Sequence, residues 1–150
     1  MKPTVRPLDY DELDEASRLV WLTFYYRESK DYGMEGIETF RNFIDPISLK
    51  LNMFSGGLRV FGAFIDQELV GVCALKDSRH ISLLFAQNDR LGIGIGSAML
   101  EYMLDIAKTD RVTVNSSDFA VRFYKKHGFV PDGERTTENG IIFSPMYIEK

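Results

Sequence analysis

The sequence predicts a mixed α/β domain whose sheet is mainly antiparallel. Three observations carry this. Residues 58–86 hold three apolar runs joined by turns too short for helical crossovers, which makes an antiparallel meander. Helix-period stretches stand before and after that meander rather than between its strands. The chain has 150 residues, the length of one domain with a sizeable core.

The elements follow in order. Thr4–Arg6 forms a short strand ending at Pro7. Asp9 is placed as an N-cap, with Glu12 three residues on as its capping-box partner. Asp11, Asp14 and Glu15 add negative charge to the first turns, where the helix dipole favours it. Leu13, Ala16, Val20 and Phe24 share a face, so a helix runs to about Glu28. A second helix, Glu35–Ile44, turns Ile37, Phe40 and Ile44 inward and ends before Pro46. From Ile47 to Met53 apolar and polar residues alternate. Periodicity reads a strand there, although a continued helix would also bury those positions. Gly56-Gly57 turns the chain into the meander, with strands 58–65, 69–76 and 79–86. A helix from Ile95 to about Thr109, a short strand 112–114 and a helix 118–127 come next. Gly128 follows the last as a C-cap. Strands at 129–130 and 141–148 complete the sheet.

Composition narrows the function. Hydrophobic residues make up 45% and charged residues 27%, ordinary for a globular protein. The net charge of −4 offers no basic field for nucleic acid. No apolar run approaches the ~18 residues of a membrane span, and no leader is visible. The single cysteine, Cys73, excludes a disulfide framework and reads as a buried small hydrophobe. A cytoplasmic protein is expected. No His/Cys/Asp group has metal-ligand spacing, so no metal is expected.

The most informative segment is Leu91-Gly92-Ile93-Gly94-Ile95-Gly96, running into Ser97-Ala98-Met99-Leu100. Glycines at every second position before a helix let backbone N–H groups approach an anion, and the helix N-terminus adds partial positive charge. A P-loop is excluded, since no Gly-Lys pair exists; the G-x-G-x-x-G fingerprint fails in both registers. By itself the loop is either a phosphate cradle or a tight turn with a capped helix.

Two ordered segments then resemble the GNAT superfamily of acetyl-CoA-dependent N-acetyltransferases. Gln87 to Gly96, after Leu84-Phe85-Ala86, is similar to that family's pyrophosphate loop, Gln/Arg-x-x-Gly-x-Gly/Ala. Val114-Asn115 and then Ala120-Val121-Arg122-Phe123-Tyr124-Lys125-Lys126-His127-Gly128-Phe129 resemble its N…A…Y-E-K-x-G-F stretch. One position departs: Leu91 stands where the family carries Gln or Arg, with Arg90 one place earlier.

The resemblance implies a sheet of six to seven strands with about four helices, and an acetyl-CoA cofactor lying between two splayed parallel strands, 79–86 and 112–114. Backbone groups of Leu84, Phe85 and Ala86 would pair with the pantetheine arm. Amides of Leu91, Gly92, Ile93, Gly94, Ile95, Gly96 and Ser97 would hold the pyrophosphate, Arg90 either helping or remaining a surface residue. Asn115 would bond the pantetheine arm or form an Asx turn before the next helix. Phe119 would pack beside the cofactor or in the core. Tyr124 would stand at the thioester sulfur and assist its departure. The implied activity is acetyl transfer to a primary amine, on a small-molecule acceptor. Protein N-terminal or lysine acetylation and non-catalytic acyl-CoA binding are the alternatives. A homodimer is expected at the level of the family alone.

An attacking amine needs a base, since an alkyl ammonium has a pKa near ~10.4. Glu28, Asp31, Glu35 and Glu38 lie in the expected acceptor region, each reading as a solvated surface carboxylate or a base. His80 and His127 are the histidines able to titrate near neutrality. Arg122, Lys125 and Lys126 make a basic patch beside Tyr124, read as a solvated face or a phosphate contact. Trp21, Phe24, Tyr25 and Tyr26 are read as lining an acceptor pocket or as packing elsewhere.

Overall fold

The computed structural model describes residues 2–88 and 93–150. Strand β1 (Thr4–Pro7) leads through a 3-10 turn at Tyr10–Glu12 into α1 (Leu13–Arg27). The Asp9 N–H donates to Glu12 Oε1 at 2.9 Å, as the capping-box pattern requires. Arg6 clamps the same carboxylate from both nitrogens at 2.9 and 2.8 Å, which holds Glu12 down at about 2. Leu13, Ala16, Val20 and Phe24 are all buried on one face of α1.

Helix α2 (Met34–Ile44) is followed at once by α3 (Pro46–Ser55), and here the strand reading of 47–53 is corrected. The Asp45 side chain accepts from the Ile47 and Ser48 amides at 3.0 and 3.4 Å, and Pro46 occupies the first helical position. Those are helix-start signals, and they outweigh a short alternation. Leu49 is buried and Met53 packs beside it, one helical turn apart, while Ile47 and Leu51 face outward at 70% and 60% exposure.

The meander is β2 (Leu58–Ile65), β3 (Glu68–Lys76) and β4 (His80–Ala86). Then come α4 (Ile95–Ile106), β5 (Arg111–Ser116), a 3-10 turn at Asp118–Ala120, and α5 (Val121–Lys126). Strands β6 (Val130–Pro131), β7 (Thr136–Glu138) and β8 (Ile141–Glu149) end the chain. The sheet runs β1-β2-β3-β4-β5-β8-β6, with β7 on β8. Among the described residues only the β4–β5 pair is parallel. Among the described residues, the eight strands and five α-helices exceed expectation by the short β7 and by α3.

Each sheet face carries its own core. One cluster sits under α4 and α5 and holds Phe61, Met99, Met103, Tyr124 and Phe129. The other sits under α1–α3 and holds Leu13, Phe24, Leu49 and Phe85. Cys73 is buried in the first, where desolvation pushes its thiol far above the ordinary range.

One irregularity positions everything that follows. Ala74 pairs with Leu83 but Leu75 pairs with Ile81, so Ser82 is an extra residue, a β-bulge in β4. A bulge shifts the alternation by one. Ile81 therefore faces the α4–α5 core, whereas Leu83 and Phe85 face the α1–α3 core. It also bends the strand. β4 meets β5 at His80–Thr113 and Ile81–Val114, and beyond the bulge they part.

Candidate functional site

The parting strands open a cavity of about 790 Å³ that passes through the sheet. On one side it meets the start of α4 and helix α5. On the other it runs under α1, α2 and the β7–β8 turn.

The α4 side contains most of the anticipated residues. Gly94 sits at φ 87°, a conformation that favours glycine, and Ile95 starts the helix with its side chain buried. Ile93 is half-exposed. Gly96 faces the Phe123 ring: an added Cβ would lie 3.3 Å from it. Ser97 does more than the sequence suggested. Its hydroxyl lies 2.9 Å from His127 Nε2, while His127 Nδ1 lies 2.9 Å from the Phe123 carbonyl. A carbonyl only accepts, so Nδ1 carries a proton; in the neutral ring Nε2 then accepts from Ser97. Leu91, Gly92 and Arg90 lie outside the described residues.

Along β4, Leu84 is half-buried against the α4–α5 core, Phe85 is buried on the opposite face, and Ala86 ends the strand. Not all of this backbone is free. Arg27 Nη2 donates to the Ala86 carbonyl at 3.0 Å. Across the gap, Asn115 is exposed at the cavity wall, in register with Pro145 of β8. Ser117 occupies the N-cap position of the following 3-10 turn, without a side-chain cap bond. Phe119 is 51% exposed, so it is not a core residue. The Arg27 guanidinium stacks over its ring at 4.8 Å.

Tyr124 lies at the waist of the cavity, buried, its ring edge-on to Phe123 and Phe129 at 5.3 and 5.2 Å. Burial first, then the neighbouring Cys73 and Glu28, push its phenol far above the ordinary range. It stays protonated at neutral pH and is a hydrogen-bond donor. Lys126 reaches the cavity wall, while Arg122 and Lys125 are exposed.

The far side is roofed. Gly36 of α2 meets Gly140 of the β7–β8 turn backbone to backbone, with no room for a Cβ on either. Thr39 Oγ1 donates to the Asn139 carbonyl at 2.8 Å, and Tyr32 Oη to that of Ile142 at 3.1 Å. Beneath the roof Phe24 stacks on Phe40 at 4.2 Å and on Tyr32 at 5.4 Å, and Phe40 meets Phe85 at 5.7 Å. Of the aromatic residues of α1, Phe24 alone lines the cavity; Tyr25 and Tyr26 face outward, 54% and 72% exposed.

Of the four carboxylates expected in the acceptor region, one lies in the cavity. Asp31, Glu35 and Glu38 are exposed surface carboxylates, but Glu28 is buried, 7% exposed, and lines the cavity. Desolvation raises it to about 7, against the opposing pull of Arg27 and a hydrogen bond with Ser117. His80 is pushed down by burial, its Nδ1 2.8 Å from Thr113 Oγ1. The acidic group the fold brings together elsewhere, Asp9, Asp11 and Glu12, is on the surface with Glu12 engaged by Arg6. Among the described residues no helix is long and apolar enough to cross a membrane.

A family model described as "Acetyltransferase (GNAT) domain" matches residues 28–150. No curated protein matches the sequence. Solved structures do resemble the fold. A GCN5-related N-acetyltransferase from Rhodopseudomonas palustris superposes with TM-score 0.85 at 22% identity, over 100% of this chain and 97% of that one. PaiA N-acetyltransferase from Thermoplasma acidophilum, in complex with coenzyme A, gives 0.80 at 20% identity over 100% of both chains. A spermidine N-acetyltransferase SpeG chimera from Vibrio cholerae and hSSAT gives 0.67 at 17% identity, over 99% and 96%.

Proposed function

The chain belongs to the GNAT acetyltransferase family, and from that premise we propose that it transfers the acetyl group of acetyl-CoA to a primary amine of a small molecule. The observation that carries this reading is the waist of the cavity. Strand β4 parts from β5 at the Ser82 bulge, and Tyr124 stands beside the opening as a buried, protonated donor.

The residues present fit an acyl-CoA. Beyond Ile81 the facing edges of β4 and β5 have no strand between them, so an extended amide arm can add to β4 there. Leu84 and Phe85 would flank that arm, with Asn115 opposite. The amides from Ile93 to Ser97, at the start of α4, would meet the pyrophosphate. The same role for Leu91 and Gly92 rests on the sequence alone. Phe119, held under Arg27, would cover the arm. Acetyl-CoA supplies an activated acyl group on a thiol leaving group. Tyr124 would donate a hydrogen bond to the sulfur as negative charge develops on it. Its raised pKa favours hydrogen bonding over full proton transfer, because a phenol is already a weaker acid than a thiol.

The roof formed by α2 and the β7–β8 turn favours a small acceptor over a protein chain. It closes the acceptor side by backbone contact and two side-chain hydrogen bonds. The test is amine-dependent release of free thiol from acetyl-CoA, followed across a panel of small amines and a lysine-bearing peptide. Thiol release with small amines supports the reading; release with the peptide alone would replace it with protein acetylation.

A further inference from the structure

We propose that the acceptor is a monoamine with an apolar, ring-sized body, whose ammonium group is received and deprotonated by Glu28. This rests on the acetyltransferase reading above and deepens it.

The chamber on the acceptor side has one chemical character. Its walls are the rings of Phe24, Tyr32, Phe40 and Phe85, in mutual contact at 4.2–5.7 Å. Such walls reward a flat apolar body and offer a cation only their faces. Among the described residues a single buried carboxylate, Glu28, lines the chamber. The other carboxylate of the lining, Glu138, lies exposed on β7. A polyamine would have to leave a second ammonium against the rings. An amino acid would bring a carboxylate close to Glu28.

One cation, Arg27, stands beside Glu28, and burial outweighs its pull. Arg27 Nη2 donates to the Ala86 carbonyl and the guanidinium stacks on the Phe119 ring, while its buried Nε has no hydrogen-bond partner. Ser117 gives a hydrogen bond, Asp31 adds like charge, and Tyr32 and Tyr124 present neutral phenols. The carboxyl consequently sits at about 7 rather than in the usual carboxylate range. An incoming ammonium adds opposite charge beside the buried carboxylate, and a carboxylate of raised basicity is better matched to take its proton. Glu28 is also close enough to Tyr124 to raise its pKa, so base and donor flank one space.

The step balances. One ammonium proton passes to a Glu28 carboxylate oxygen, leaving the nitrogen lone pair free. That nitrogen bonds to the acetyl carbon as the carbon–sulfur bond breaks and its electron pair stays on sulfur. The second nitrogen proton neutralises the sulfur, and Glu28 returns its proton to water. Amide, thiol and one proton are the products.

The experiment uses the full chain with acetyl-CoA and three acceptors: 2-phenylethylamine, spermidine and phenylalanine. Acetyl-CoA binding is first measured by calorimetry; its absence would sink the acetyltransferase reading itself and this inference with it. With binding established, 2-phenylethylamine should exceed both others in kcat/KM by about tenfold or more. Its kcat/KM should rise with pH through about 7. Glu28→Gln should lower kcat by about 100-fold and erase that limb, with acetyl-CoA affinity retained. Phe40→Ala should instead act mainly on KM. Preference for spermidine or phenylalanine, no turnover of any amine, or an unchanged pH profile in Glu28→Gln would each overturn the proposal.

Discussion

Replacing Glu28 by Gln separates the cost of burying a carboxylate from everything else in the fold. The side chains are nearly the same shape, and the amide keeps a partner in Ser117. In the folded chain Glu28 holds its proton up to about 7, against 4.5 for the unfolded chain. A folded form that binds a proton more tightly than the unfolded form loses stability as pH rises between those values. The cost is absent below pH 4.5, grows between 4.5 and about 7, and is complete above. Its size is about 3 kcal/mol, from about 1.4 kcal/mol per pKa unit. Glu28 is 7% exposed, so solvent screening does not reduce this as it would for a surface group. For a chain of this length that corresponds to about 6–12 °C in Tm. Thermal melting of wild type and Glu28→Gln at pH 4 and pH 8 is the assay. The two proteins should melt together at pH 4, and the variant should melt higher at pH 8. All other groups titrate in both proteins and cancel. Equal Tm differences at the two pH values, or a variant less stable at pH 8, would refute the argument.

Other outcomes follow from single contacts. Tyr124→Phe removes the donor at the waist while keeping the ring, so kcat should fall by about 100-fold with acetyl-CoA affinity within a few-fold, by steady-state kinetics and calorimetry. Gly36→Ala sets helix propensity against a backbone collision. The gain is about 1 kcal/mol, but the Cβ would overlap the rigid Gly140 carbonyl, so a net loss of about 1–2 kcal/mol and a lower Tm are expected. A higher Tm would mean that the roof yields freely. Asp45→Ala removes the cap of α3 and should cost about 1 kcal/mol in chemical denaturation.

The antiparallel meander was legible because its turns are written locally. Asp66-Gln67 and Asp77-Ser78 adopt positive φ and close hairpins too short for any crossover. The α1 face was legible through its 3.6-residue period. Helix α3 was misread because Leu49 and Met53 fit both a strand and a helix, and the signal that decides, Asp45-Pro46, lies outside the alternating run. Nothing local marks Ser82 as a bulge. It becomes one only when β3 and β4 pair out of step, and that slip is what opens the site. The Gly36–Gly140 contact joins residues far apart in sequence, so neither glycine announces it. Glu28 carries the same lesson in electrostatic form. Its burial comes from Ser117 and the cavity wall, brought over it by the fold. Tyr124, Asn115 and Phe119, expected from a short ordered stretch with a recognisable pattern, all line the cavity.

The central claim is that the gap between β4 and β5 is an acyl-CoA groove. Calorimetric titration of the purified chain with acetyl-CoA, alongside dephospho-CoA and NADH, tests it most directly. Saturable binding of acetyl-CoA in the micromolar range, with NADH inert, is the expected result. No binding of acetyl-CoA, or equal binding of NADH, would contradict it and leave Gly94 and Gly96 as parts of a structural turn.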